Sequence, residues 1–120
     1  MSDGNGIMNV NVIEAGLRAT ALRSKVVANN VANINTPGFK RHAVRFEQLL
    51  AKQLESGRPL DVDDLLGQVF RPLNTVVEPN GNDVSIDVEV GEMVENGAMH
   101  KTYVRLLAKK YRQMALAMQT

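Results

Sequence analysis

The chain is organised around Asn29-Asn30-Val31-Ala32-Asn33-Ile34-Asn35-Thr36-Pro37-Gly38-Phe39-Lys40. Asparagine is a mediocre residue for a helix interior because its amide competes for nearby backbone groups. The asparagines of this run therefore indicate close contacts with other backbones, including those of other subunits, rather than an ordinary core helix. Pro37 lacks an N–H and disfavours the α region at Thr36, so it ends the helix. Pro37-Gly38 is typical of the centre of a type II turn, in which the glycine has a positive φ.

A family resemblance rests on the same region of the chain. Extended at both ends, the run becomes Lys25-Val26-Val27-Ala28-Asn29-Asn30-Val31-Ala32-Asn33-Ile34-Asn35-Thr36-Pro37-Gly38-Phe39-Lys40-Arg41, which resembles the N-terminal signature of bacterial flagellar rod and hook proteins. The N-terminal resemblance covers about residues 10–46, and a C-terminal one covers about residues 82–118. The chain has no room for the large middle domain of distal rod and hook members, so it is most similar to the short proximal rod proteins.

Composition excludes several classes of function. The chain has 120 residues, a net charge of +1 and 4% aromatic residues, so no overall field favours nucleic acid or a membrane surface. Cysteine is absent, which rules out disulfides, thiolate metal sites and a cysteine nucleophile. No apolar run approaches the roughly 20 residues of a membrane span, so we expect no direct membrane insertion. The start, Met1-Ser2-Asp3-Gly4-Asn5-Gly6, lacks the pattern of a Sec-type signal peptide.

Two heptad patterns predict two long helices. The first covers residues 8–35 and runs through Val10, Ile13, Leu17, Thr20, Ser24, Val27, Val31 and Ile34. The second covers residues 87–118, with Asp87 as N-cap, and runs through Val90, Met93, Gly97, His100, Val104, Leu107, Tyr111, Met114 and Met118. The first helix alone is about 40 Å long, too long to bury its stripe without a partner helix, from this chain or from another. The fold class is therefore mainly α, with the two terminal helices in a coiled-coil-like hairpin.

The part between the long helices, residues 36–86, shows no sustained period. A short helix is predicted at about Phe46–Glu55, ended by Gly57. Residues 56–82 are interrupted by Pro59, Pro72, Pro79 and Gly81 and are predicted to be irregular or flexible. Short extended pieces are predicted at Val69-Phe70 and Thr75-Val76-Val77. We interpret residues 1–120 as one axial domain.

No enzyme or cofactor site emerges from the sequence. Counting from Asp61, an EF-hand would need Gly and Glu where the chain has Leu66 and Pro72, so the acidic residues Asp61, Asp63 and Asp64 are interpreted as a solvated, capping turn. His42 and His100 are the only histidines and lack metal-ligand spacing, and His100 is expected to be packed or hydrogen-bonded. We therefore expect no catalytic, cofactor-binding or metal-binding residues.

The resemblance implies a structural component of the flagellar basal-body rod that assembles through its terminal helices and transmits torque. The implied partners are other rod proteins, the inner-membrane ring and its rod-adaptor protein, and the flagellar type III export apparatus, which needs no cleaved signal. The implied location is the periplasmic rod of the basal body. The other short proximal rod protein and a cytoplasmic coiled-coil adaptor stay open as alternatives. The residues expected at subunit interfaces are Leu17, Val27, Asn29, Asn30, Val31, Asn33, Ile34, Asn35, Pro37, Gly38, Phe39, Val104, Leu107, Tyr111 and Met114.

Overall fold

Two long helices and the short elements between them make up the chain. The computed structural model describes residues 9–65 and 68–119. The elements in chain order are α1 (Val10–Ala32), β1 (Ala43–Val44), α2 (Glu47–Ser56), α3 (Val62–Leu65), β2 (Val69–Phe70) and α4 (Ile86–Met118). The long helices α1 and α4 pack together, and the molecule measures 65 × 28 × 18 Å. The predicted mainly helical hairpin is thus confirmed.

Helix α1 is shorter than predicted at its C-terminal end. Its N-cap is Asn9, whose Oδ1 accepts the Val12 N–H at 3.0 Å. The predicted end at Asn35 is wrong, since the helix ends at Ala32 and Asn33 is its C-cap. The Asn33 side chain donates to the Asn29 carbonyl at 2.9 Å, so it competes with the backbone as asparagine tends to do. Residues 1–8, which include the predicted start of this helix at residue 8, lie outside the described residues.

The N-cap of helix α4 lies two residues earlier than predicted. Asp87 is not the N-cap; Ser85 holds that position, and its carbonyl accepts the Glu89 N–H at 2.9 Å. The Asn82 side chain accepts the Val84 N–H at 2.8 Å and so fixes the backbone just ahead of the helix. Asp87 lies in the first turn, where its carboxylate still complements the helix dipole.

The segment between the hairpin helices folds back onto them. Strands β1 and β2 pair antiparallel, with Ala43 opposite Phe70 and Val44 opposite Val69. Helix α2 occupies nearly the predicted range and ends at Gly57, whose φ of +70° is the expected left-handed cap. The extended piece at 69–70 is confirmed as β2, whereas residues 75–77 form no strand. The segment predicted to be irregular, residues 56–82, contains the short helix α3, which was not predicted. Residues 71–82 contain no helix or strand, as predicted.

The apolar core lies where the first half of α1 meets α2, α3 and the middle of α4. Phe46 and Ile13 are fully buried at its centre, and the Phe46 ring meets the Tyr103 ring edge to face at 6.3 Å. Leu65 of α3 is 1% exposed, so the middle segment contributes to this core. The buried members are Val12, Ile13, Ala15, Ala19, Phe46, Leu50, Leu65 and Tyr103.

The face of α4 that contacts α1 differs from the predicted one. The buried positions of α4 are Glu89, Asn96 and Tyr103, spaced by seven residues. The predicted stripe lies one residue later, and its members Val90 and Val104 are exposed. One residue is about 100° around a helix, so the apolar stripe lies beside the contact with α1. His100 still reaches Thr20 and Leu107 packs against the core, whereas most of the stripe is exposed.

Gly16 explains why Tyr103 lies at the helix contact. A Cβ atom on Gly16 would lie 2.5–2.8 Å from carbon atoms of the Tyr103 ring. The missing side chain therefore makes the space that the ring occupies, and α1 approaches α4 closely at this point. The heptad pattern did not reveal this contact, because it scored neither Gly16 nor Tyr103.

We expect Gly16→Ala to destabilise the protein. The added methyl group forces the Tyr103 ring or the helices to shift, and overpacking of this kind costs about 1–3 kcal/mol, more than the helix propensity gained. The measurement is the free energy of unfolding in urea. The matched control is Gly97→Ala, because nothing lies within 4 Å of a Cβ there and the same change should stabilise α4 by up to about 1 kcal/mol. Equal effects of the two substitutions would contradict the packing described.

Candidate functional site

One side of the hairpin is closed by a buried polar network. Arg23 of α1 donates to Asn96 Oδ1 at 3.1 Å, to the Val44 carbonyl at 3.2 Å and to Glu47 Oε1 at 2.9 Å. The Tyr103 hydroxyl donates to the other Glu47 oxygen at 2.8 Å. These bonds join both long helices to β1 and α2. The segment that carries β1 and α2 therefore covers that side of the hairpin.

Burial raises the pKa of Tyr103, and its hydrogen bond to the Glu47 carboxylate raises it further. The folded protein therefore holds the phenol neutral, whereas an unfolded tyrosine ionises near pH 10. A raised folded pKa contributes stability that is fully present below about pH 10 and is lost as the pH rises above it.

We accordingly expect the free energy of unfolding to fall more steeply above about pH 10 in the native chain than in Tyr103→Phe. Urea unfolding between about pH 8 and about pH 11 measures the difference in slope. Tyr111→Phe serves as the control, because the Tyr111 side chain is half exposed. A native chain with the same pH dependence as Tyr103→Phe would refute the assignment.

A second polar network closes the tip of the hairpin. The side chain of Asn30 donates to the His42 carbonyl at 2.8 Å and to Glu89 Oε1 at 2.9 Å, and it accepts the His42 N–H at 2.9 Å. Arg41 forms an ion pair with Glu89 at 2.6 Å, and both side chains are almost fully buried. The backbone N–H of Arg41 donates to Asp83 Oδ1 at 2.6 Å. We call Asn30, Arg41, Asp83 and Glu89 the tip clamp.

Two turns pack against each other beside the tip clamp. Gly38 has a φ of +76°, and the Phe39 N–H donates to the Thr36 carbonyl at 3.2 Å, as expected for the predicted turn. The Gly38 N–H donates to the Asn80 carbonyl at 2.9 Å. A Cβ on Gly81 would lie 3.2 Å from the Gly38 Cα, so glycine permits the close approach. The asparagine-rich run is therefore held from within the chain by the turn that precedes α4.

The other side of the hairpin is open. A groove of about 390 Å³ runs between α1 and α4, lined by Thr20, Ala21, Ser24, Met93, Asn96, Gly97 and His100. Thr20 and His100 hydrogen-bond across it at 3.1 Å, which fits the expectation of a hydrogen-bonded histidine, although the ring is exposed. Ala21 and Gly97 have little or no side chain, so they leave the space between the helices open.

Large apolar side chains extend this groove along both helices. Val31 of α1 is 38% exposed, and α4 exposes more residues on its predicted stripe. We define the open face as the groove together with Val31, Val90, Val104, Tyr111 and Met114. Exposed apolar strips are typical of surfaces that contact another protein, a membrane or a ligand.

The residues predicted for subunit interfaces fall into three groups. Val31, Val104, Tyr111 and Met114 lie on the open face, and Leu17 and Leu107 are half-buried against the core. Val27 and Asn30 are buried within the chain. Asn29, Asn35, Pro37 and Gly38 are exposed near the tip, and Asn33, Ile34 and Phe39 are half-buried there. Sequence reasoning missed Arg23, Arg41, Glu89 and Asn96, because buried polar residues at these positions break the apolar pattern.

The described residues form no metal-binding cluster and no membrane-spanning helix. Among residues 9–65 and 68–119 no group of three or more His, Asp or Glu side chains is placed to hold a metal ion. Asp61 Oδ1 accepts the Asp64 N–H at 3.3 Å and so caps α3, in line with the predicted acidic turn; Leu66 lies outside the described residues. None of the described helices is long and apolar enough to cross a bilayer.

This chain is similar in sequence to flagellar rod and hook proteins. The sequence model of the family described as "Flagella basal body rod protein" matches residues 10–40. The "Flagellar basal body rod protein FlgB" of Bacillus subtilis is 26% identical over 111 residues, which cover 85% of this chain and 86% of the relative. Further FlgB proteins match at similar identity. The matched residues 10–40 include all of α1 and the turn at Gly38.

Longer flagellar proteins match this chain over a small part of their own length. The "Flagellar basal-body rod protein FlgG" of Caulobacter vibrioides is 31% identical over 87 residues, covering 72% of this chain and 27% of the relative. The "Flagellar hook protein FlgE" of Treponema pallidum is 45% identical over 42 residues, covering 35% of this chain and 9% of the relative.

Proposed function

We propose that this chain, which the family match and the FlgB relatives identify as a flagellar rod protein, is a structural subunit of the proximal part of the bacterial basal-body rod. The relatives are rod proteins by name, which suggests a structural role and no enzyme activity. The similarity to FlgG and FlgE suggests other flagellar rod and hook proteins as partners.

The observation that carries the proposal is the open face. The chain's own middle segment covers one side of the hairpin and leaves the apolar stripe of α4 uncovered on the other. Neighbouring subunits supply the missing cover, and burial of apolar area contributes about 25 cal/mol per Å² to their association. The tip clamp and the Arg23 network hold the two helices in one orientation, as a subunit that transmits torque requires.

The same proposal includes the location of the subunit, its contact with the ring and its route of export. The subunit lies in the periplasmic rod, contacts the inner-membrane ring through its rod-adaptor protein, and reaches its place through the flagellar type III exporter without a cleaved signal. The exposed residues at the tip, Asn29, Asn35 and Pro37, are further contacts to neighbours.

The location of a tagged chain tests the function. The chain should co-purify with basal bodies from cells that have a working flagellar exporter, and should be missing from basal-body fractions of cells that lack one. A chain that stays in the cytoplasm of both strains would favour the alternative of a coiled-coil adaptor. Deletion of the gene should leave cells without a rod. A deletion strain that builds complete rods would contradict the proposal.

A further inference from the structure

Three asparagines of the chain are followed directly by glycine, and two of these pairs lie in the described part. They are Asn80-Gly81, in the turn before α4, and Asn96-Gly97, within α4, whereas Asn5-Gly6 lies outside the described residues. In such a pair the backbone nitrogen of the glycine can attack the side-chain carbonyl carbon of the asparagine, because glycine has no Cβ to obstruct the approach. The local structure decides which pair reacts in the folded chain.

The fold bends the Asn80 side chain over the peptide group that follows it. Asn80 is exposed, and its Oδ1 accepts the backbone N–H of Asn82 at 3.0 Å. This Asx turn directs the side-chain amide toward the peptide bond to Gly81, which is the direction that attack requires. The donor is held in place, since the buried Asn82 side chain donates to the carbonyls of Asn33 and Thr36 at 2.8 Å.

A positive charge supports the same hydrogen bond from the other end of the peptide group. The Lys40 ammonium group donates to the Gly81 carbonyl, which shares a peptide group with the Asn82 N–H. Hydrogen bonds in such a chain polarise and strengthen one another. The Asn82 N–H therefore withdraws electron density from the Asn80 amide and stabilises the negative charge that develops on Oδ1 during attack.

The same chemistry is blocked at Asn96. Its side chain is buried and donates to the Thr20 carbonyl at 2.8 Å, and the N–H of Gly97 lies within α4. Asn96 therefore reacts only when α4 separates from α1. The Gly81 N–H is also bonded, to the Glu78 carbonyl at 2.8 Å, but that bond lies in an exposed turn and opens without separation of the helices.

We propose that Asn80 is a site of spontaneous deamidation, at which the tip of the folded chain changes with age. The Gly81 nitrogen bonds to Asn80 Cγ and loses its proton, and the side-chain nitrogen leaves as ammonia, which gives a cyclic imide. Water then opens the ring at either carbonyl and leaves aspartate or isoaspartate. This inference does not depend on the proposed function.

The isoaspartate product alters the contact between the two turns. Its main chain runs to Gly81 through the side-chain carbons of residue 80 and is longer by one carbon. In the native chain the Asn80 carbonyl accepts the Gly38 N–H at 2.9 Å, and a Cβ on Gly81 would lie 3.2 Å from the Gly38 Cα. The longer main chain cannot keep both contacts, so the two turns separate beside the tip clamp.

Mass spectrometry of the folded chain, kept in a mildly alkaline buffer, tests the proposal. Cleavage after glutamate separates the two pairs, because Glu89, Glu92 and Glu95 lie between them. The Asn80 fragment should gain the mass that replacement of NH2 by OH adds, and Asn96 should react about a hundredfold or more slowly. In urea the two pairs should react at similar rates. An unchanged Asn80 fragment, or equal rates in the folded chain, overturns the proposal.

Lys40→Met separates activation by charge from mobility of the turn. It should slow the reaction of Asn80 severalfold in the folded chain and leave the rate in urea unchanged. A looser turn alone would speed the reaction in the folded chain, and that result overturns the part assigned to Lys40.

Hydrogen exchange tests the effect of the product on the tip. The isoaspartate form, separated by ion exchange, should exchange the Gly38 amide hydrogen faster than the Asn80→Asp chain does. That variant is the matched control, because it gains the same charge without the longer main chain. Equal exchange in the two chains contradicts the separation of the turns.

Discussion

Val104→Asp is expected to abolish swimming and rod formation while leaving the isolated chain folded. The Val104 side chain is 46% exposed in the single chain, so the substitution disturbs little within it. On the open face the residue becomes buried once a neighbour docks. An unpaired charge in such a contact costs several kcal/mol, enough to lower the association constant by about a thousandfold or more.

Swimming in soft agar, electron microscopy of basal bodies and urea unfolding of the purified chain measure the three parts of this prediction. The matched control is Ala98→Asp, which adds the same charge to α4 at an exposed position outside the groove and the core. We expect Ala98→Asp to reduce swimming much less. If Val104→Asp cells swim normally, the open face is not an assembly surface.

Glu89→Ala should be the most destabilising single substitution in the tip clamp. It leaves Arg41 buried without its closest ion-pair partner and removes one of the two acceptors of the Asn30 amide, the one at 2.9 Å. Removing one member of a buried pair costs about 3–5 kcal/mol, a large part of the stability of a domain of this size. Urea unfolding gives the total loss, and hydrogen exchange should show opening of the amides near Gly38 and Asn82 first.

Two further variants separate the ion pair from general effects on α4. Glu92→Ala removes a partly exposed carboxylate 4.0 Å from Arg41 and should change stability by less than about 1 kcal/mol. The double variant Arg41→Met, Glu89→Met replaces both charges by apolar groups and should recover much of the loss. A double variant as unstable as Glu89→Ala would mean that the ion pair is not the cause.

Most of the helices and turns could be predicted from the sequence because each of these has a local cause. The two long heptad patterns predicted α1 and α4, and Gly57 marked the end of α2. Pro37 and Gly38 predicted the turn, since the proline ring fixes φ and glycine, which has no Cβ, readily adopts a positive φ. These features do not depend on what packs against them.

The face that each long helix turns to the other could not be predicted in the same way, because tertiary packing decides it. The apolar stripe of α4 was expected to pack on a helix of this chain or of another, and part of it was assigned to subunit interfaces. The sequence did not reveal that α4 buries Glu89, Asn96 and Tyr103 within the chain. Burying Glu89 is tolerable only with Arg41 beside it, 48 positions away in the sequence. A heptad pattern detects an apolar face but cannot tell whether the same chain or a neighbouring subunit covers it.

A cryo-electron microscopy map of isolated basal bodies tests the central claim most directly, because it shows what covers the open face. We expect the hairpin in the rod, with Val90, Val104 and Tyr111 buried against a helix of a neighbouring subunit. The covered side of the hairpin should keep its contacts among Arg23, Glu47 and Tyr103. A map in which the open face meets solvent, while neighbours contact the hairpin only through α2 and the β1–β2 pair, would contradict the account.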